Sequence, residues 1–176
     1  ISKFRIGYAP GKGLLDYLLG LKHKLNDILL TGLVRESEHG KPYQFFRKRI
    51  VFPYLVNNQP RYFIGRATPM TSNTPSEKPK YKKLPVYSQD KNKGISRSIR
   101  NDIIFNTSRG LGLDEVVITE GITDCMMLDQ YGFSAISPVT TRFKKEDAEK
   151  LSKILRKEQT VYISNDNDWN QAGLKG

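Results

Sequence analysis

Val116-Val117-Ile118-Thr119-Glu120-Gly121-Ile122-Thr123-Asp124 joins a short apolar run to a carboxylate, a glycine and, four residues on, a second carboxylate. The β-branched run predicts a buried strand over 116–119, and the residues from Asp124 to Tyr131 predict a helix stopped by Gly132. Glu120 then sits at the carboxyl end of a strand, where open α/β sheets carry their sites. Further along, residues 134–137 and Thr160–Ser164 read as strands, both buried. Residues 146–157 between them read as an amphipathic helix, with Ala148, Leu151, Ile154 and Leu155 on its apolar face and acidic residues in its first turn. This βαβαβ alternation predicts an α/β fold with a small parallel sheet and crossover helices.

The third strand leads into Asn165-Asp166-Asn167-Asp168. Parallel strands end on one edge of a sheet, which brings Glu120, Asp124, Asp166 and Asp168 toward a common point. Crowded carboxylates repel each other and hold protons more tightly unless a cation compensates them. An all-oxygen donor set suits a hard cation, Mg2+ or Mn2+. With one cysteine, Cys125, and two histidines, His23 and His39, the chain has no zinc ligand set. Gly121 permits a sharp turn, and Ala172-Gly173 permits close packing of a following element. The competing reading is structural: Asp and Asn are common turn formers, and 165–168 also reads as a polar turn.

The residues before this alternation differ in kind. Residues 1–113 carry 21 Lys+Arg against 7 Asp+Glu, net +14, whereas residues 114–176 carry 8 against 11, net −3. A basic half predicts a polyanionic partner, nucleic acid or nucleotide phosphates; a lysine-rich solubility surface is the plainer alternative. Leucines at helical spacing predict short helices over 14–21 and 24–30, packed as a core element. Residues 45–56 and 61–67 predict a hairpin about Asn57-Asn58, with Arg47, Arg49, Arg61 and Arg66 interleaved among aromatics. Guanidinium forks suit phosphate oxygens; a solvated sheet face explains the same pattern. Pro69, Pro75, Pro79 and Pro85 predict a long loop over 70–87 without regular structure, and Gly110 and Gly112 mark a joint.

The expected organisation is therefore a basic mixed α+β domain, 1–113, followed by an α/β domain, 114–176, whose closing elements lie outside these residues or are missing. No run approaches the length of a transmembrane helix, and a single cysteine excludes an internal disulfide framework. Both point to a reducing, cytoplasmic setting without membrane contact. A start at Ile1 rather than methionine predicts a piece of something longer.

Glu120-Gly121-Ile122-Thr123-Asp124, Asp166-Asn167-Asp168 and Ala172-Gly173 together resemble the TOPRIM domain, the nucleotidyl-transfer and hydrolysis module of primases, topoisomerases and related nucleases. The basic half narrows the resemblance. Phe4-Arg5-Ile6-Gly7-Tyr8-Ala9-Pro10, Arg47-Lys48-Arg49-Ile50-Val51-Phe52-Pro53, Phe63-Ile64-Gly65-Arg66 and Pro79-Lys80-Tyr81 are similar, in order, to segments of the bacterial DnaG-type primase catalytic core, phage and mobile-element primases included. Nearly the whole chain is covered. The resemblance implies a Rossmann-like TOPRIM domain behind a basic subdomain, with Glu120, Asp166 and Asp168 catalytic. It makes Glu120, Asp124, Asp166 and Asp168 the ligands of Mg2+ or Mn2+, and assigns Arg49, Arg66, Lys80 and Lys93 to nucleotide or template.

The same resemblance implies template-directed synthesis of short RNA primers on single-stranded DNA from ribonucleoside triphosphates. A replicative helicase is the implied partner, through a region outside these residues. Two alternatives share the features: a TOPRIM nuclease that cuts with the same carboxylates, and a non-catalytic nucleic-acid-binding replication module. The chain departs from the family where Ser137-Pro138-Val139-Thr140 stands in place of a Gly-Thr step, so only Thr140 corresponds. The family's upstream zinc module and further downstream acidic cluster are not among these 176 residues, so the fragment by itself is expected to be incomplete.

Overall fold

Left-handed residues punctuate the first half of the chain: Arg5, Lys22, Lys48, Asn57 and Asn58 all take positive φ. Elements between them are accordingly short. The structure, a computed structural model, describes residues 2–86, 99, 101–139 and 145–165. The chain divides into two units, Ile1–Pro53 with Pro60–Asn101, and Tyr54–Gln59 with Asp102–Gly176.

In the first half a 3-10 turn, Ser2–Phe4, precedes β1 (Gly7–Ala9), α1 (Leu14–Gly20) and α2 (Leu25–Leu30). β2 (Val34–Glu36) and β3 (Pro42–Gln44) form a separate antiparallel pair. β4 (Arg49–Val56), β5 (Gln59–Ala67) and β6 (Tyr81–Lys83) join β1 in a four-stranded sheet of order β1-β4-β5-β6.

The expected hairpin is the β4-β5 pair. Asn57 and Asn58, at φ 49° and 62°, make a two-residue turn whose twist matches that of the strands. Its first strand begins at Arg49 rather than at 45, because Lys48, at φ 52°, breaks the extended run. The stretch 4–10, expected as a lead-in, supplies β1, with Tyr8 paired to Ile50. The 70–87 stretch is not irregular throughout. β5 leaves an edge open, and Tyr81-Lys82-Lys83 pair there with Ile64 to Arg66, the prolines at 79 and 85 lying just outside the paired residues. The two helices bring less core than their leucines predict. Ile28 is their buried residue, and Leu19, Leu21, Leu25 and Leu30 stay exposed.

The second unit contains α3 (Thr107–Gly110), β7 (Glu115–Thr119), α4 (Ile122–Gln130), β8 (Ala135–Ile136), α5 (Lys145–Ser152) and β9 (Thr160–Ser164). Its three strands are parallel, in the order β8-β7-β9, which is the predicted parallel sheet. Ile104, Val116, Ile118, Ile136 and Leu151 form its core, with Leu111, Ile154 and Leu155 packed against it. Tyr54 meets Phe105 edge-on at 5.4 Å, and Ser108 Oγ donates to the Leu55 carbonyl, so the hairpin tip is part of this unit.

Two expectations need correction here. α5 ends at Ser152, and Ala148 faces solvent; Ile154 and Leu155 reach the core from the turn beyond the helix. β9 is exposed along its whole length instead of buried, because among the described residues the core packs on β7 and β8 and takes no side chain from β9. Among the described residues no helix is long and apolar enough to cross a membrane.

Gly110 lies against β8 so closely that an added Cβ would stand 2.8 Å from both the carbonyl carbon of Ala135 and Cγ2 of Ile136. Backbone cannot yield cheaply. Gly110→Val is expected to cost about 1–3 kcal/mol of stability, read as a lower urea midpoint; an unchanged midpoint would show that this contact is not tight.

Candidate active site and basic groove

The carboxyl ends of β7, β8 and β9 are bound to one another around Glu120. β7 and β9 run in register from Glu115↔Thr160 to Thr119↔Ser164. One step beyond, the Glu120 N–H donates to the Ser164 carbonyl at 3.3 Å. From the other side Ser137, wholly buried after β8, donates its hydroxyl to the Glu120 carbonyl at 3.1 Å. The buried Thr119 hydroxyl donates to the Gly121 carbonyl at 2.9 Å. The main chain at 120–121 is therefore held from three directions, while the Glu120 side chain is half-buried.

Asp124 lies exposed in the first turn of α4, where the helix dipole favours a negative charge. Its carboxylate folds back over the Gly121 turn, and a Cβ at residue 121 would collide with Asp124 Oδ2. The glycine thus makes room for the second carboxylate beside the strand end. Asp166, Asp168, Lys93, Thr140 and Ala172-Gly173 lie outside the described residues. β9 carries the chain to within two residues of Asp166. Among the described residues no group of three or more metal-ligating side chains is assembled. The donors present, Glu120 and Asp124, are oxygens, which is the chemistry a hard cation takes.

Cys125, fully buried one residue after Asp124, is not part of this chemistry. Burial pushes its thiol up to about 12, with the Asp129 and Asp124 carboxylates adding to the rise. The thiolate that nucleophilic or metal-binding work requires is disfavoured.

The basic residues separate into different roles. Lys80 is exposed, and Arg66 is half-exposed with its guanidinium 5.8 Å from the Tyr81 ring. Arg49 turns inward and has no exposed surface. Its Nη1 donates to the carbonyls of Gly65 and Pro79, its Nη2 to the carbonyl of Glu77, and its Nε to Glu77 Oε2 at 3.1 Å. With all three nitrogens bonded in the interior, Arg49 has no donor turned to a polyanion and acts as a structural residue. Assigning it to nucleotide or template is corrected on that ground.

Glu77 went unnoticed in the sequence. Its buried carboxylate meets Lys82 at 2.6 Å, Arg49 at 3.1 Å and Arg47 at 3.2 Å. Burial by itself raises the carboxyl. Hydrogen bonds from Lys82 and Arg49, the Lys82 charge and the Arg47 hydrogen bond outweigh it, leaving Glu77 below its ordinary value of 4.5. Lys82 shifts downward, through burial and the nearby arginine charges, despite the same bond. The two directions agree physically: one anion serves three cations, so the anion gains more from the cluster than any one cation does.

Above this cluster lies an open groove of about 520 Å3, lined by Arg35, Lys41, Arg47 and Lys82 together with Tyr43 and Phe45. Lys82 Nζ stands 4.4 Å from the Phe45 ring centroid, and Arg47 lies 5.9 Å from that of Tyr43. Cations interleaved with rings are the equipment for a flexible polyanion carrying flat bases. The local signal was the density of basic and aromatic residues over 35–49. What sequence could not supply was their assembly, which depends on β2 pairing with β3 and on an acid about 30 positions away.

Residues 1–105 match the family described as the N-terminal domain of the DNA primase catalytic core. The DNA primase of Deinococcus radiodurans is 29% identical over 184 residues, a match covering 99% of this chain and 29% of that protein. The chain thus spans less than a third of that relative's length. Among solved structures, the RNA polymerase domain of Mycobacterium tuberculosis primase DnaG matches with a TM-score of 0.74 at 22% identity, over 99% of this chain and 57% of that one. A DnaG primase catalytic domain bound to ssDNA matches with a TM-score of 0.63 at 20% identity, over 93% of this chain and 50% of that one. These likenesses show a shared fold.

Two measurements check the site chemistry. Cys125 is expected to resist a thiol reagent at neutral pH in the folded chain and to react at once in denaturant; ready reaction of the native chain would contradict its burial. Because Glu77 is depressed in the folded state, the stability it contributes is complete above its ordinary value of 4.5 and is lost as pH falls through the folded value. The wild-type urea midpoint should therefore drop more steeply than that of Glu77→Gln between about pH 5 and about pH 3; parallel curves would sink this assignment.

Proposed function

We propose, since this chain belongs to the bacterial DnaG-type DNA primase catalytic core family, that it is a catalytic-core piece of a DNA primase, a nucleotidyltransferase that makes short RNA primers on single-stranded DNA. In this reading residues 1–113 handle the template and residues 114–176 form a TOPRIM domain carrying the chemistry. The observation that carries it is the β7-β9 register, which sets Glu120 on the sheet edge where β9 leads toward Asp166 and Asp168.

Glu120, Asp124, Asp166 and Asp168 would hold Mg2+ or Mn2+, an assignment supported by their all-oxygen chemistry and by the space Gly121 leaves for Asp124. When bound, such an ion supplies positive charge against the phosphate oxygens of a ribonucleoside triphosphate. The chain's own part is orientation. Ser137 and Thr119 fix the backbone at 120–121 before substrate arrives, so little reorganisation remains during reaction. Glu120, Asp166 and Asp168 are the catalytic residues of this proposal.

On the basic side, Arg35, Lys41, Arg47 and Lys82 neutralise template phosphates, and Tyr43 offers a ring face to a base. Arg66, Lys80 and Lys93 supply further contacts to nucleotide or template. Template capture in this groove, use of ribonucleoside triphosphates, a replicative helicase reached through another region, and a cytoplasmic setting belong to the same proposal.

In a primase chain that contains these residues and continues beyond them, Glu120→Gln is expected to lower primer synthesis on single-stranded DNA by at least about 100-fold while leaving DNA binding near wild type. Undiminished synthesis would overturn the assignment of Glu120. Metal-dependent nicking without added nucleotides would mark a nuclease instead.

A further inference from the structure

We propose that Glu77 is a positioning residue for polyanion binding: its carboxylate holds Arg47 and Lys82 side by side as a preformed pair of cations on the wall of the groove. The inference rests on the reading that this groove takes single-stranded DNA. Oε1 of Glu77 accepts from both groove cations, Arg47 Nη2 at 3.2 Å and Lys82 Nζ at 2.6 Å. Oε2 accepts from Arg49 Nε at 3.1 Å.

The division of labour between the two oxygens separates positioning from simple support. A carboxylate paired with a buried arginine frequently takes the two-pronged fork that guanidinium offers. Here Arg49 gives Glu77 a single side-chain bond and anchors itself through the carbonyls of Gly65, Pro79 and Glu77. That arrangement fixes Glu77 from below and leaves Oε1 to the groove. Glu77 has a side-chain exposure of 1%, against 47% for Arg47 and 14% for Lys82, so the anion lies beneath and the cations above.

Charge points the same way. Three cations share one carboxylate, leaving the cluster two positive charges in excess, and Arg35 and Lys41 line the same groove. Long basic side chains left to themselves would separate by mutual repulsion and lose rotamer freedom only when an anion arrived. Glu77 keeps them together beforehand, which lowers the ordering cost of binding. The Phe45 ring, its centroid 4.4 Å from Lys82 Nζ, gives the ammonium a second contact.

The role reverses the sign that net charge alone predicts. Removing an acid from a basic groove should tighten DNA binding; removing a positioning acid should weaken it. The test measures anisotropy of a fluorescein-labelled deoxythymidine 20-mer with the full 176-residue chain over a range of salt. Far-UV circular dichroism reads the folded fraction of each variant. Glu77→Gln should bind about threefold or more weakly than wild type although its net charge is one unit higher. Its log K against log salt slope should flatten by about 0.7 for each cation no longer engaged, a change that partial unfolding, which lowers bound amplitude, would not produce. Glu77→Asp keeps the charge but shortens the reach. It should also weaken binding, and it carries the test if Glu77→Gln does not fold.

Binding by the Glu77 variants equal to or tighter than wild type, while Arg47→Ala and Lys82→Ala weaken it, would overturn the positioning role and leave the groove reading intact. Unchanged binding by Arg47→Ala and Lys82→Ala would remove the groove reading, and this inference with it.

Discussion

Parallel pairing of β7 with a neighbour on each side is the constraint on which the second unit depends. In an antiparallel sheet, adjacent strand ends point in opposite directions and residues following them part company. Here Val117 and Ile118 lie beside Ala135 and Ile136, and Thr119 lies beside Ser164, so all three chains leave the sheet at one edge. The hydroxyls of Thr119 and Ser137 then satisfy carbonyls at 120 and 121 that no strand reaches.

The first half of the chain solves a different problem. It carries many cations, and a sheet with an arginine in its interior needs an anion to go with it. Glu77 supplies that anion from a loop, and the loop is tied down. Thr68 and Thr71 hydroxyls both donate to the carbonyl of Lys48, the residue that breaks the strand, and the Ala67 N–H donates to the Lys80 carbonyl. Prolines and polar residues that read as an irregular loop are here a strap across β4 and β5, ending in β6. The interior pair itself is weak support for stability, because desolvation offsets much of the attraction. What it provides is a fixed arrangement of side chains at the surface.

The sequence expectations succeeded where the signal was local. β-branched runs and helical spacing located β7, α4 and the β4-β5 hairpin within a few residues, and the alternation of strand with helix predicted the parallel sheet. They failed where a partner decided the outcome. β9 has a buried strand's composition, Val161-Tyr162-Ile163, yet lies exposed at an edge. The leucines of α1 and α2 have a core helix's spacing, and none of them is buried. Tyr81-Lys82-Lys83 has no strand signature of its own and becomes one because β5 offers an unpaired edge.

By itself the sequence determined the alternation of elements, the break in charge between the two halves, and the placement of Glu120 and Asp124 around a glycine turn after a strand. Each of these follows from residues a few positions apart, through periodicity, turn chemistry or simple counting. Tertiary structure alone decided that Arg49 points inward while Arg47, two residues earlier, faces the groove. It also decided that Glu77 joins both to Lys82. The reason is that burial of a charge is settled by whether a counter-charge and free carbonyls arrive from elsewhere in the fold. Those partners come from positions 16 to 30 residues away, across a register that no local pattern specifies.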